Sequence, residues 1–461
     1  MSLFEYIDKL IIFVVSIPFL LSIFFGKKNK KKFLLVILIW LIGLGPIFAG
    51  LFSDRTPFQN ASIYSINENH ITIIINQVVL ILVLSISLMI IIEKILDSHK
   101  AEKKIIDISS IRLISSNLIM NSLFVISSFF AVIPGIDFRQ LYLPIVFLAL
   151  IFSLPINPVY FCKNIRNILL LIVIGSLLTL IISNENAIIQ TKSYISFIDF
   201  RYFGITYHPN ALGILSTLAI FFVVIFPPKN KSFTIISLLI SVFTLVLTQS
   251  KTSWIIFIIC SFILIFYKIF TKKDKIKKRL FILGIITIFS IMIIWLVFDK
   301  KFMDFISVFL SDDLFTTLSG RLAIWEISLN TFRSNPIFGY GFYLWDRNFQ
   351  IFTGSLGVGH SHNQFMQSLA QTGITGFLGL TIYYMNLIFF GFKAGRVSNG
   401  LSVVLVILLI LRSFTETPMR SVSIDNGFFI HFIIFSLIVV FNQKFLFERK
   451  EKIKEIVSCD N

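Results

Sequence analysis

ITGFLGLTIYYMNLIFFGF, residues Ile374–Phe392, runs for nineteen residues without a charged side chain. At about 1.5 Å rise per residue, a helix of that length nearly crosses the ~30 Å hydrocarbon core of a bilayer. The pattern recurs along the chain. About thirteen candidate spans fall at roughly 8–26, 33–52, 71–92, 110–133, 140–157, 167–183, 206–226, 232–248, 252–270, 280–298, 374–392, 400–415 and 427–443. Setting them aside leaves no separate soluble domain, and the one long non-apolar interval is about 299–373. A mean hydropathy of +0.88 agrees. The sequence therefore predicts an all-α integral membrane protein with about 12–13 transmembrane helices and one long extracytoplasmic loop containing short amphipathic helices. The leading segment MSLFEYIDK lacks a basic region, so the first span reads as a retained helix and not a cleaved signal.

The net charge of +17 would suit nucleic acid if it formed one surface, but it is scattered through short loops. Lysines gather in KKNKKK (27–32), TKKDKIKKR (271–279) and the C-terminal NQKFLFERKEKIK, which the positive-inside tendency places in the cytoplasm. Segments 53–70, 134–139, 184–205, 299–373 and 416–426 then fall outside, together with the amino terminus. The chain divides into N-terminal helices (1–183), helices carrying Arg201 and Lys251 (184–298), the long loop (299–373), C-terminal helices (374–443) and a cytoplasmic tail (444–461). Basicity is thus topological, and no nucleic acid partner is expected. Cys162, Cys260 and Cys459 lie at or near the cytoplasmic face or within a span, so no disulfide is expected.

Several cations nevertheless fall on the outer side. Arg201 lies in FIDFRYFGITYHPNALG, Lys251 in the turn LTQSKTSW, and Arg321 in the long loop. One such cation alone reads as a side chain snorkelling to headgroups. Three together suit a diphosphate, which takes bidentate guanidinium forks or a lysine point charge. In SGRLAIWEISLNTFRSNP (319–336), Leu322, Trp325, Leu329 and Phe332 recur at helical spacing opposite Glu326, Asn330 and Arg333. The helix is expected to start at a Ser319 cap, with Arg321 in its first turn, and to stop at Asn335-Pro336. GYG (339–341) reads as a flexible link.

Next comes VGHSHNQFMQSLAQTGITG (358–376). It predicts a short helix starting near His362 and ended by Gly373, with Gly376 admitting a close neighbour. A helix N-terminus favours a neutral imidazole, the state a general base needs. His360 reads as a polar loop residue or as one half of a metal pair with His362. The i,i+2 spacing without a paired acidic ligand is weak for metal, and none is expected. Arg412 and Glu416, at i,i+4 near the outer end of a span, read either as a snorkelling arginine with a surface glutamate or as a buried pair supporting the site.

These motifs resemble the bacterial O-antigen ligase and O-antigen polymerase superfamily of membrane glycosyltransferases. The resemblance rests on His362-Asn363, the nine residues Gln364 to Thr372, and Gly373-Ile374-Thr375-Gly376. SGRLAIW, NPIFGYG, RYFGITYHPNALG and SKTSW are similar to flanking family segments, and the resemblance covers roughly 195–425. It implies a GT-C-like fold and a glycan donor on undecaprenyl diphosphate. Catalytic roles would fall on His362 and Arg321, and diphosphate binding on Arg201 and Lys251. His360, Asn363, Arg412 and Glu416 would support them. It further implies a metal-independent, inverting transfer without cofactor, outside the inner membrane, to a glycan or lipid A-core acceptor. A chain-length regulator would be a partner. Lys251, where the family commonly carries Arg, and Phe377-Leu378, where ligases often carry two threonines, lean the reading towards a repeat-unit polymerase over a ligase. A flippase of lipid-linked oligosaccharide, the competing class, would place charges along the spans, which are nearly free of them.

Overall fold

The computed structural model describes residues 27–51, 70–98, 108–135, 138–182, 187–190, 200–206, 208–271, 314–419 and 424–459. The first expected span (8–26) and the tenth (280–298) lie outside them. The other eleven are helical. In chain order the helices are α1 (Lys27–Leu51), α2 (His70–Ser98), α3 (Ile108–Phe129), α4 (Arg139–Tyr142), α5 (Pro144–Phe152), α6 (Pro158–Ile182), α7 (Pro209–Ile225), α8 (Lys231–Leu247), α9 (Lys251–Thr271), α10 (Leu314–Ser334), α11 (Arg347–Thr353), α12 (Gln364–Lys393), α13 (Leu401–Ser413) and α14 (Asn426–Cys459). Span 140–157 is split between α4 and α5, with Pro144 opening the second helix, where a missing N–H costs nothing. Among the described residues the only sheet is the antiparallel pair β1 (Ile188–Gln190) and β2 (Phe200–Tyr202).

Six of these helices are long and apolar enough to cross a membrane, so the chain is an all-α integral membrane protein. Burial sorts them. Along α14 the apolar residues from Phe428 to Phe441 are all within 3% of complete burial, so this helix is covered on every side, as a bundle axis is. By contrast α8 exposes Ile235, Ile236, Leu239 and Phe243, and α9 exposes Ile255, Ile258 and Phe262. An outward apolar stripe of that extent suits the lipid around a membrane helix.

Lipid is as apolar as these side chains, so helix association rests on close approach and interhelical hydrogen bonds, each worth about 1 kcal/mol. The sequence supplies both. Ser109, Ser116, Asn117, Ser127 and Ser128 form a buried small, polar face on α3, which packs along α12. A Cβ on Gly376 would come within 2.9 Å of the Phe124 ring, and one on Gly379 within 3.0 Å of Met120 Cα, so the close neighbour expected at Gly376 is α3. Tyr383 on α12 bonds His431 on α14 at 2.5 Å, and Asn442 Nδ2 donates to Phe390 O at 2.9 Å. Cys162 and Cys260 are buried free thiols.

Candidate active site

The first wall of the site is the loop before α12. Asn363, which the motif offers as a supporting residue, is the N-cap: its Oδ1 accepts from the N–H of Phe365 at 2.9 Å and Met366 at 3.2 Å. His362 therefore stands one residue outside the helix and not at its start. It adopts a left-handed φ of 47°, a conformation costing on the order of 1 kcal/mol and kept where surroundings enforce it. The enforcement comes from Ser361, which is fully buried between the two histidines. Ser361 N and Oγ both donate to Gln367 Oε1, at 2.9 and 3.0 Å, and Trp345 Nε1 donates to the same oxygen at 3.0 Å. Trp325 Nε1 donates to Ser361 O at 3.0 Å. The backbone between the rings is thus pinned to α10 and α12, and the His360 and His362 rings lie tilted at 53° with centroids 4.0 Å apart.

Two local expectations are corrected here. The helix carrying Arg321 begins at Leu314, so Ser319 lies inside it and Arg321 is not in its first turn. Leu314, Phe315 and Leu318 extend the apolar spacing upstream of the expected cap. The helix does end before Pro336, at Ser334, and Glu326, Asn330 and Arg333 are exposed. GYG is not a flexible link. Tyr340 N and Gly341 N donate to Ala370 O and Gln371 O, both at 2.9 Å, and Ile133 N donates to Tyr340 O at 3.1 Å. Gly339 (φ 69°) and Gly341 (φ 109°) occupy backbone conformations suited to glycine, and a Cβ on either would strike backbone within 2.7 Å. Gly373 breaks the helix as expected (φ 59°, ψ −162°), freeing Ile374 N to bond Pro336 O at 2.8 Å.

The second wall comes from β2, α7 and the turn into α9. Strand alternation buries Tyr202, whose hydroxyl donates to Ser176 O, and turns Arg201 the other way. Arg201 Nη2 donates to Asn210 Oδ1 at 3.1 Å, and its Nε to Thr248 O at 3.4 Å. Ser250 Oγ donates to the same Asn210 oxygen at 2.9 Å. Gly213 permits this approach, since a Cβ there would lie 2.5 Å from Ser253 Oγ on the first turn of α9. Lys251, half-buried, opens α9 beside Ser250.

Glu416 joins the walls. It follows α13, two residues before Pro418, and Met419 N donates to Gln364 Oε1 at 2.9 Å, holding this turn against the start of α12. Glu416 Oε1 accepts from Asn210 Nδ2 at 2.8 Å. Its Oε2 faces His362 Nδ1 at 3.6 Å and His360 Nε2 at 3.8 Å. Burial alone would raise the carboxyl, but the facing His362, and the positive charge that His360, His362 and His208 carry once protonated, hold it well below the usual carboxylate range. His208 is pushed down to about 4, first by burial and then by Arg201, His362 and Arg321, with Glu416 opposing. It is neutral at pH 7. The expected pairing of Arg412 with Glu416 takes another form. Glu416 N donates to Arg412 O at 2.8 Å, but among the described residues no ion pair joins the side chains. Arg412 is buried within the field of Glu416 and Asp425, and its Nε and Nη1 have no hydrogen-bond partners among the described residues.

His362 Nδ1 points at the carboxylate from 3.6 Å without a hydrogen-bond partner among the described residues. A proton on that nitrogen would face the anion and leave the Nε2 lone pair unprotonated. His360 Nδ1 accepts the His362 N–H at 3.1 Å, so the neutral His360 ring carries its proton on Nε2. His360, His362 and Glu416 have the composition and spacing of a metal-ligand set. A metal on His360 Nε2, however, would require the proton to move to Nδ1 and break its backbone bond.

Residues 236–381 match the O-antigen ligase family. The resemblance read from the motif is borne out over that stretch. An uncharacterized protein of Haemophilus influenzae is 26% identical over 183 residues, covering 36% of this chain and 44% of that protein. The chain thus spans less than half the length of this relative. The O-antigen ligase match holds Lys251, Arg321, His360 and His362, while Arg201, His208, Asn210, Arg412 and Glu416 lie outside it. Sequence reasoning missed Asn210, His208, Ser250 and Gln367. Asn210 and His208 stand in the quoted RYFGITYHPNALG, where His-Pro-Asn reads as ordinary helix-start chemistry.

Proposed function

We propose that this protein is an inner-membrane glycosyltransferase that moves a glycan from undecaprenyl diphosphate to an acceptor sugar hydroxyl on the periplasmic side. The O-antigen ligase match supports glycan transfer of this general type. The observation that carries the mechanism is that Glu416 Oε2 faces His362 Nδ1 at 3.6 Å, with Arg201 tied to the same carboxylate through Asn210. His362 Nε2 takes the proton of the acceptor hydroxyl as that oxygen attacks the anomeric carbon. The bond from that carbon to the diphosphate oxygen breaks with inversion, and the diphosphate leaves with the electron pair. It needs no proton, only charge stabilisation, which Arg201, Arg321 and Lys251 supply. The proton rests on His362, where the ionised Glu416 stabilises the imidazolium. No metal takes part in these steps.

Within the superfamily we favour the repeat-unit polymerase, because Lys251 and Phe377-Leu378 depart from the ligase pattern. A deletion strain separates the readings by what accumulates. Loss of a polymerase leaves lipid A-core bearing single repeat units. Loss of a ligase leaves long glycan on undecaprenyl diphosphate and bare core. Loss of a flippase would trap lipid-linked units on the cytoplasmic leaflet, and that result would overturn the proposal.

A further inference from the structure

At this end of the bundle the Asn210 side chain contacts both a cation and an anion of the site. We infer that Asn210 is a positioning residue, which holds Glu416 in register with His362 and ties it to Arg201. This rests on the functional reading above. The amide orientation is determined by its partners. Oδ1 accepts from Arg201 Nη2 at 3.1 Å and Ser250 Oγ at 2.9 Å, so Nδ2 faces Glu416 Oε1 at 2.8 Å. The cation thus sits on the negative end of the amide dipole and the carboxylate on the positive end. Each contact polarises the next, giving the chain Arg201–Asn210–Glu416–His362. The backbone aims the amide: Asn210 occupies the first turn of α7, its N–H donates to His208 Nδ1 at 3.1 Å, and Pro209 fixes the turn before it. Glu416 then has one oxygen bonded to Asn210 and the other facing the histidines at 3.6 and 3.8 Å, so the carboxylate cannot rotate away from His362 without losing the charge-assisted bond from Asn210. Asn210 touches no reacting atom in this scheme. It acts through Glu416.

The two ends of the amide can be tested separately. Asn210→Asp keeps an acceptor for Arg201 and Ser250 but loses the donor to Glu416, whereas Asn210→Leu loses both. Full-length protein in proteoliposomes would be assayed with the producing strain's own purified lipid-linked glycan. Asn210→Asp is expected to lower kcat roughly 10- to 100-fold, the scale of one hydrogen bond to a charged group, with KM for the donor unchanged. Asn210→Leu is expected to lower kcat and raise KM. In a Glu416→Gln background the Asp substitution recreates a donor–acceptor pair in reverse, so it should add less than about two-fold further loss. The amount of membrane-inserted protein, measured for each variant, shows that the chain still folds. Full kcat in Asn210→Asp, or a loss that multiplies with that of Glu416→Gln, overturns the inference. If His362→Ala keeps wild-type transfer, the functional reading has failed instead. An inactive His362→Ala beside uncoupled Asn210 variants defeats this inference alone.

Discussion

The two walls of the site are held in different ways. The histidine wall is pinned through backbone groups: Ser361 N and O are taken by Gln367 and Trp325, Asn363 caps α12, and His362 is left in a strained left-handed conformation. In the arginine wall Asn210 is a side-chain hub, with Arg201, Ser250 and Glu416 meeting on one amide. A strained backbone fixes where one ring stands and tolerates little change of sequence spacing. A side-chain hub fixes relative charge positions and can be disconnected one bond at a time. Proton transfer needs the first kind of precision, and stabilising a departing diphosphate needs the second.

Breaking the link between the walls should have the largest effect. Glu416→Gln removes the anion that stabilises the His362 imidazolium and should lower transfer by about 10³–10⁴, without loss of membrane-inserted protein. Disabling the arginine wall comes next. Arg201→Ala or Arg321→Ala should cost about 10²–10³ in kcat, measured on purified protein, whereas Lys251→Arg keeps the charge and should remain close to wild type. Loosening the histidine wall should cost least. Gln367→Ala removes the acceptor shared by Trp345 and Ser361 and should cost about ten-fold, the scale of one or two buried hydrogen bonds. Its apparent Tm in detergent should fall as well, while Ser250→Ala should leave Tm near wild type. Equal effects of Gln367→Ala and Ser250→Ala on Tm would erase the distinction between the walls.

How far the sequence reached follows the same division. The helices were legible because each span carries its own period and length, and eleven expected spans are helices. Gly373 and Gly376 were legible as a break and a close approach because glycine's role is local. His362, Arg201 and Glu416 could be picked out one by one as polar residues beside apolar spans. Their contact could not be picked out in the same way. Asn210 and Glu416 are 206 residues apart, and no spacing rule reaches across that interval. Asn210 was hidden by its setting in His-Pro-Asn, and Gln367 by its place inside a helix whose other residues are packing. Glycines misled once: GYG signals a left-handed backbone, and that backbone serves a tightly bonded strip and not a hinge. Ser319 misled because a good capping residue also sits comfortably inside a helix whose apolar spacing begins one turn earlier.

The central claim is that His362, aligned by Glu416, is the base, and that the neighbouring His360 is not. The most direct measurement is single-turnover transfer by purified His362→Ala and His360→Ala at matched protein level, with and without EDTA, using lipid-linked glycan as donor. The account predicts a loss of about 10²–10⁴ in His362→Ala, a much smaller loss in His360→Ala, and no effect of the chelator on wild type. Persistence of transfer in His362→Ala with its disappearance in His360→Ala, or abolition of wild-type activity by EDTA, would contradict it.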